Sequence, residues 1–142
     1  MFKKLVSVIC VIVVSVLCFG MVASAENIVP FTLYTDSASS TLTIAGTTAT
    51  CKSTAVGYAN VTTKIVMEQT LQKKTSSGTW SKITSWSETD TGYKGSATNT
   101  KSSLSSGTYR LKTVFTVYAG SDYEVLTKYS SEKTVWFERM GL

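Results

Sequence analysis

The chain has 142 residues, of which 14 are basic and nine acidic; its formal net charge is +5 and it contains no histidine. This length accommodates one domain of ordinary size and leaves no room for a second. The absence of histidine excludes a Cys-His nucleophile. The basic residues form no cluster or stripe typical of nucleic-acid binders, so nucleic acid is not an expected partner.

A signal peptide is predicted over residues 1–25. Two lysines precede an uncharged, Val- and Ile-rich run from Leu5 to Phe19, and Val22-Ala23-Ser24-Ala25 offers small residues for a signal peptidase. We expect this leader to be helical and to be cleaved after Ala25. Residues 26–142 would then form a secreted domain, extracellular or associated with the cell envelope, that meets the membrane only through its leader.

Two alternatives exist for the leader. It could remain as an uncleaved anchor, because the uncharged segment from Leu5 to Ala25 is long enough to span a bilayer. Cys18 could carry a lipid, but the bulky Leu17 stands beside it where a lipoprotein signal has a small residue. All of these interpretations place the remaining chain outside the cytoplasm.

Cysteine content restricts the covalent chemistry of the mature chain. Cys10 and Cys18 leave with the leader, so Cys51 remains alone and cannot form an intramolecular disulfide. Its alternating neighbourhood, Ala49-Thr50-Cys51-Lys52, favours a small buried residue in a strand. A reactive thiol or an intermolecular bridge is the alternative.

The mature composition is typical of an all-β domain. Ser, Thr, Val, Ile and Tyr dominate, and apolar and polar residues alternate in segments separated by Gly, Ser, Asn and Asp. We expect about seven antiparallel strands in one sandwich. The alternating segments are, in chain order, 31–35, 41–45, 48–56, 61–73, 79–87, 93–100, 109–117, 123–129 and 133–137.

The alternation also predicts which side chains are buried. In the segment 61–73, Lys64, Glu68 and Gln72 share the solvent face. The residues expected toward the core are Leu42, Ile44, Ala49, Cys51, Ile65, Met67, Leu71, Tyr109, Leu111, Phe115 and Val117.

The segment Leu104-Ser105-Ser106-Gly107-Thr108-Tyr109 resembles the turn and strand entry of immunoglobulin-like and fibronectin-III-like domains. The resemblance implies that Leu104 caps the core and that the Tyr109 hydroxyl ties down the corner. The chain lacks the cysteine pair and the central Trp of immunoglobulins proper. An immunoglobulin-like sandwich is therefore the expected fold.

The mature chain as a whole resembles an uncharacterised family of small secreted proteins of Gram-positive bacteria, a domain of unknown function. This resemblance implies export and a β fold, and it implies no activity. The motifs that carry it are Leu42-Thr43-Ile44, Ala49-Thr50-Cys51, Leu71-Gln72-Lys73, Gly78-Thr79-Trp80, Trp86 and Gly107-Thr108-Tyr109-Arg110.

Catalytic and metal-binding motifs are weak. Asp90-Thr91-Gly92 is the tripeptide of aspartic proteases, but the polar Ser87-Glu88-Thr89 precedes it where those enzymes have a buried apolar strand, so a solvated turn is favoured. Ser130-Ser131-Glu132-Lys133 has the spacing of penicillin-binding enzymes without their helix. Carboxylates are scattered among turns, so we expect no enzyme, metal or cofactor.

The aromatic residues are the candidates for ligand binding. Trp80 and Trp86 are six residues apart in one predicted strand, so both should point to the side opposite Ile83. They form either an exposed platform for sugar rings or protein, or part of the core. The same two alternatives apply to Tyr118, Tyr123 and Tyr129 around the last hairpin.

The sequence therefore predicts a non-catalytic secreted binding or adhesion module for an extracellular glycan or protein, with Trp80, Trp86, Tyr118 and Tyr123 as candidate contacts. A secreted bacteriocin-like or toxin-like effector is the alternative, and a hydrolase is a minor one.

Overall fold

The computed structural model describes residues 32–137, so the predicted signal peptide, its cleavage site and residues 138–142 lie outside the described residues. Within the described range no helix is long and apolar enough to cross a bilayer. Eight strands are present: β1 (Thr35–Ala45), β2 (Thr48–Gly57), β3 (Lys64–Lys74), β4 (Trp80–Thr91), β5 (Lys94–Lys101), β6 (Gly107–Ala119), β7 (Asp122–Tyr129) and β8 (Lys133–Val135).

The strands form two antiparallel sheets that pack face to face. The smaller sheet has the order β1-β2-β5, and the larger has the order β4-β3-β6-β7, with β8 paired to the first residues of β6. Two-residue hairpins at Gly46-Thr47 and Gly120-Ser121 join β1 to β2 and β6 to β7. Both glycines have positive φ, +59° and +66°, as such tight turns require. The predicted all-β antiparallel sandwich is confirmed.

β1 and β4 extend furthest beyond the segments that the alternation predicts. β1 is one strand from residue 35 to 45, because the serine-rich segment 37–40 pairs with β2 although it carries no large apolar residue. β4 continues to Thr91 because its last residues pair with the start of β3. Asp90 and Thr91, which were predicted to lie in a turn, therefore belong to β4, and the turn is at Gly92-Tyr93.

Two apolar clusters fill the space between the sheets. They lie at opposite ends of the sandwich. Residues near one end of the core-facing strands belong to the first cluster, and residues near the other end belong to the second. The first cluster contains Leu42, Ala49, Cys51, Leu71, Leu104, Tyr109, Leu111 and Val135, and Ile44 packs against it. The second contains Ala55, Ile65, Met67, Ala97, Phe115 and Val117.

A polar layer separates the two clusters, and Gln69 of β3 is its centre. This side chain is fully buried. Its Nε2 donates to Ser53 Oγ at 2.7 Å and to the backbone oxygen atoms of Cys51 and Ala97 at 3.3 and 3.4 Å. Its Oε1 accepts from Asn99 Nδ2 at 2.8 Å. The amide thus connects the larger sheet to both β2 and β5 of the smaller one.

Hydroxyl groups complete the polar layer. Thr113 Oγ1 of β6 lies 2.8 Å from Ser53 Oγ and 2.9 Å from Ser40 Oγ. Burying polar groups is costly unless they form hydrogen bonds. Within residues 32–137 no buried side-chain nitrogen or oxygen lacks a hydrogen-bond partner.

The corner before β6 has the arrangement that the immunoglobulin-like resemblance implies. Tyr109 is buried, and its hydroxyl donates to the backbone oxygen of Ser105 at 2.8 Å. Leu104 is buried in the first apolar cluster, and its amide donates to the backbone oxygen of Thr47 at 2.9 Å. The corner is therefore attached both to its own strand and to the β1-β2 hairpin.

Glu124 of β7 attaches the start of β1 to the larger sheet. Its carboxylate accepts from the backbone amides of Leu33 and Tyr34, each at 2.8 Å, and from Thr35 Oγ1 at 2.6 Å. Burial raises the pKa of Glu124, but the hydrogen bonds from Thr35 and the backbone outweigh burial and bring the pKa below its ordinary 4.5.

We expect Gln69→Leu to lower the free energy of unfolding by roughly 2–4 kcal/mol, because Asn99 and Ser53 lose buried hydrogen-bond partners. Urea denaturation monitored by fluorescence measures the change. Thr98→Leu, an exposed position on β5, is the control and should change stability by less than roughly 0.5 kcal/mol. A Gln69→Leu protein as stable as the parent would contradict the role given to the polar layer.

We expect Glu124→Gln to lower stability at pH 7 by roughly 1–2 kcal/mol, a value reduced for the partial exposure of the carboxylate. Folding lowers the pKa of Glu124, so the ionised carboxylate stabilises the folded state. This stabilisation is fully present above the unfolded-state pKa and is lost as pH falls through the folded-state pKa. The difference in free energy of unfolding between the parent and Glu124→Gln should therefore shrink as pH is lowered below about 4.5. Denaturation curves across this pH range test it, with the exposed Glu68→Gln as control.

Candidate binding face

The candidate site is the face of the larger sheet that points away from the smaller sheet, called here the outer face. On β3 and β6 alternate residues are buried between the sheets, so the intervening residues point outward. On β7 the outward residues are the more exposed ones; Tyr123, Val125 and Tyr129 are 61%, 56% and 50% exposed. This face therefore presents aromatic and aliphatic side chains to solvent.

An arginine stacked between two aromatic rings occupies one end of the outer face. The Arg110 Cζ lies 4.1 Å from the ring centroid of Trp80 and 4.3 Å from that of Tyr129. Its Nε donates to Gln72 Oε1 at 2.8 Å. We call Trp80, Arg110 and Tyr129 the arginine stack. It joins β4, β6 and β7 across the outer face through cation–π contacts.

Two tyrosines and a lysine occupy the other end. Tyr118 of β6 and Tyr123 of β7 are cross-strand partners whose ring centroids are 5.6 Å apart, with the planes tilted by 42°. Lys64 Nζ lies 4.0 Å from the centroid of Tyr118. The tyrosines thus form a cross-strand packing pair while Tyr123 stays exposed.

The expectation that Trp80 and Trp86 share one side of the strand is wrong. A β-bulge intervenes: Leu71 pairs with Thr84 whereas Gln72 pairs with Lys82, so Ile83 is an extra residue in β4. One extra residue reverses the side on which the following residues point.

The two tryptophans consequently have different environments. Trp80 pairs with Lys74 and lies on the outer face in the arginine stack. Trp86 pairs with the buried Gln69 and packs against the first apolar cluster. Trp86 was predicted as a candidate ligand contact, but it lies at the margin of the core. Of the two tryptophans, Trp80 alone belongs to the candidate site.

The arginine stack and the tyrosine pair are far apart along the sheet. Arg110 and Tyr118 are eight residues apart on β6, which corresponds to about 27 Å in an extended strand. Val66, Val114 and Val125 lie outward between them. A shallow depression of about 360 Å³ lies on β3 and β4, where it is lined by Glu68, Thr70, Ser85, Trp86 and Ser87.

The basic residues show no cluster along the sequence, but folding brings five of them from β3, β4 and β6 to the outer face. On this face the strands present five basic residues and one acidic residue, Glu68, and Glu132 from the segment between β7 and β8 adds a carboxylate beside Lys74; the rest of the described chain carries six basic and five acidic residues. Within residues 32–137 the one ion pair joins Lys74 to Glu132 at 3.5 Å. The five basic residues are Lys64, Lys74, Lys82, Arg110 and Lys112.

The residues of the weak catalytic and metal motifs are not assembled into a site. Asp90 belongs to β4, and its Oδ2 accepts from the backbone amide of Ser96 on β5 at 2.8 Å. In the described range no three Cys, Asp or Glu side chains come together as metal ligands.

Cys51 is fully buried in the first apolar cluster. Desolvation by this burial raises the pKa of its thiol to about 11. The thiolate is the nucleophilic form of cysteine, so a raised pKa and an enclosed sulfur both oppose reactivity. The environment matches the interpretation of Cys51 as a small core residue.

The sequence did not identify Arg110 and Lys64 as parts of a site. A signal was present for Arg110, because it alternates with the buried Tyr109 and Leu111 and therefore had to point outward. Its two aromatic neighbours come from β4 and β7, and no local pattern shows that these strands lie on either side of it.

The fold and this face define an all-β antiparallel sandwich with an aromatic and cationic sheet surface. No protein-family model matches the chain, and no curated protein matches it. Among solved structures it is similar to CsgH of R. palustris, with a TM-score of 0.40 and 12% identity over 66% of this chain and 88% of that one.

The chain is also similar to Spo0M, a sporulation control protein from Bacillus subtilis, with a TM-score of 0.37 and 10% identity over 74% of this chain. The match spans 49% of Spo0M, about half of its length. At these TM-scores neither likeness carries an argument about function.

With Cys10 and Cys18 replaced by serine or removed with the leader, we expect Cys51 to react with a thiol reagent such as dithionitrobenzoate at least roughly a hundredfold more slowly in the native protein than in denaturant, because burial withholds the thiolate. Absorbance after mixing measures both rates. Rapid native labelling would instead indicate an accessible and reactive thiol.

Proposed function

We propose that the protein is a non-catalytic secreted binding module that engages an extracellular glycan or protein through the outer face of the larger sheet. The observation that carries this proposal is the alignment of the arginine stack and the tyrosine pair on one sheet face. Aromatic side chains supply large contact areas with a polar group at one end, and Tyr, Trp and Arg are the residue types enriched at binding hot spots.

The arginine stack suits binding because it is already ordered. The Arg110 guanidinium is held between Trp80 and Tyr129 and by its hydrogen bond to Gln72. A long side chain that is immobilised before binding loses little conformational freedom when a ligand arrives. The β-sheet beneath provides a rigid base for these contacts.

Two further features support the proposal. The predicted leader over residues 1–25 favours export and hence an extracellular ligand. The carboxylate of Asp90, the best candidate for a catalytic acid, accepts from a backbone amide at the margin between the sheets. A binding role requires neither a nucleophile nor a metal.

We expect Tyr123→Ala and Trp80→Ala each to weaken retention on the bound surface by roughly tenfold, corresponding to about 1.4 kcal/mol, while the protein remains folded. The measurement is a quantitative pull-down of the purified protein on bacterial cell walls, polysaccharides and host glycoproteins. Tyr58→Ala is the matched control, because Tyr58 is 41% exposed and lies in the loop between β2 and β3.

Equal losses for Tyr58→Ala and Tyr123→Ala would show that the outer face is not the binding surface. If the parent is retained on no surface but kills bacteria or makes lipid vesicles leak, the effector alternative replaces the binding module. Circular dichroism of each variant shows whether a loss reflects unfolding.

A further inference from the structure

We infer that the ligand of the outer face is an anionic polysaccharide, a polymer whose sugar rings carry carboxylate, sulfate or phosphate groups. This inference rests on the proposed function and specifies its ligand. It is argued from the distribution of charge, from the hydrogen-bonding capacity left on Arg110, and from the repetition of ring and cation along the face.

The first argument is electrostatic complementarity. The outer face has three more basic than acidic residues when Glu132 beside Lys74 is counted with it, while the rest of the described chain has six basic and five acidic residues. Among residues 32–137, Lys74 alone of the five outer-face cations has a carboxylate partner. Like charges gathered on one face repel one another, and an anionic ligand relieves this repulsion and is attracted to the face from a distance.

The second argument concerns the guanidinium group of Arg110. Its Cζ lies 4.1 Å from the ring centroid of Trp80 and 4.3 Å from that of Tyr129, and its Nε donates to Gln72. In the described part of the chain the two Nη groups have no hydrogen-bond partner. A guanidinium edge with free N–H groups matches the paired oxygen atoms of carboxylate, sulfate or phosphate.

The third argument is repetition. Along β7 the exposed Tyr129 and Tyr123 are six residues apart, about 20 Å in an extended strand. A cation accompanies each place: Arg110 contacts Tyr129, and Lys64 contacts Tyr118, the ring on which Tyr123 packs. A polymer that repeats a sugar ring and an acidic group can contact the arginine stack and the tyrosine pair at the same time. Two contacts made by one polymer chain strengthen binding.

The chemistry of single-stranded nucleic acid also combines rings and anions, and acidic peptides supply anions alone. A sugar polymer is favoured over both because the predicted leader places the protein outside the cell, and because tyrosine hydroxyls next to ring faces serve sugar hydroxyls as well as apolar ring surfaces. Nucleic acid and acidic peptide are therefore included as competing probes.

The test measures binding of the purified protein to immobilised dextran sulfate, with unmodified dextran as the matched neutral polymer, and polyglutamate and oligothymidylate as anions of other classes. Polygalacturonate distinguishes carboxylate from sulfate as the anion. Binding should be strongest to the anionic sugars, absent on dextran, and weakened by added salt. Arg110→Gln should weaken binding to dextran sulfate at least tenfold.

Lys52→Gln is the matched control, because Lys52 is an exposed cation on the smaller sheet; it should change binding less than twofold. If Arg110→Gln loses its fold, the double variant Lys82→Gln, Lys112→Gln replaces it, with the same tenfold loss expected. Arg110→Lys, which keeps the charge without the planar fork, should retain only part of the affinity.

Equal effects of Lys52→Gln and Arg110→Gln would overturn the inference, as would binding of polyglutamate or oligothymidylate as tight as that of dextran sulfate. If no anionic sugar binds while the protein is still retained on cell walls or glycoproteins through Tyr123, the proposed binding function stands and the ligand class is wrong. If Tyr123→Ala leaves that retention intact, the outer face itself is rejected.

Discussion

The buried amide of Gln69 is the constraint on which the rest of this structure depends. Its four hydrogen bonds reach two strands of the opposite sheet, and Thr113 with two serines extends the network to β1 and β6. A one-residue slip of β3 would turn the amide toward solvent and leave its partners buried without hydrogen bonds. The same slip would also expose the apolar residues of β3, whereas a two-residue slip would keep them inside but would place Met67 or Leu71 opposite Ser53 and Asn99. The polar layer therefore excludes registers that the apolar pattern alone would tolerate.

The outer face depends on this register indirectly. Once β3 is held by Gln69, its pairing with β4 places Trp86 beside that amide and, across the bulge at Ile83, turns Trp80 to the outside. Without the bulge both tryptophans would lie on one side, and Arg110 would have no indole ring above it. A local irregularity in an edge strand thus creates one end of the candidate binding face.

The two ends of the face are supported in different ways. The arginine stack is ordered by its own contacts, since the cation lies between two rings and bonds to Gln72. The tyrosine pair lies on β7, which is attached to the start of β1 through Glu124. Because β7 is otherwise paired only with β6 among the described strands, this carboxylate helps to hold an edge strand that carries exposed aromatic residues.

Period-two alternation is a local property, so the sequence by itself determined the all-β class, most strand positions, and the burial of Met67, Leu71 and Phe115. The corner of Leu104 and Tyr109 was also recognisable, because it lies within six consecutive residues. The tertiary structure alone decided that a bulge separates the tryptophans and that Arg110 meets rings from two other strands. Those outcomes depend on strand register and on neighbours distant in the chain, which no window of sequence contains.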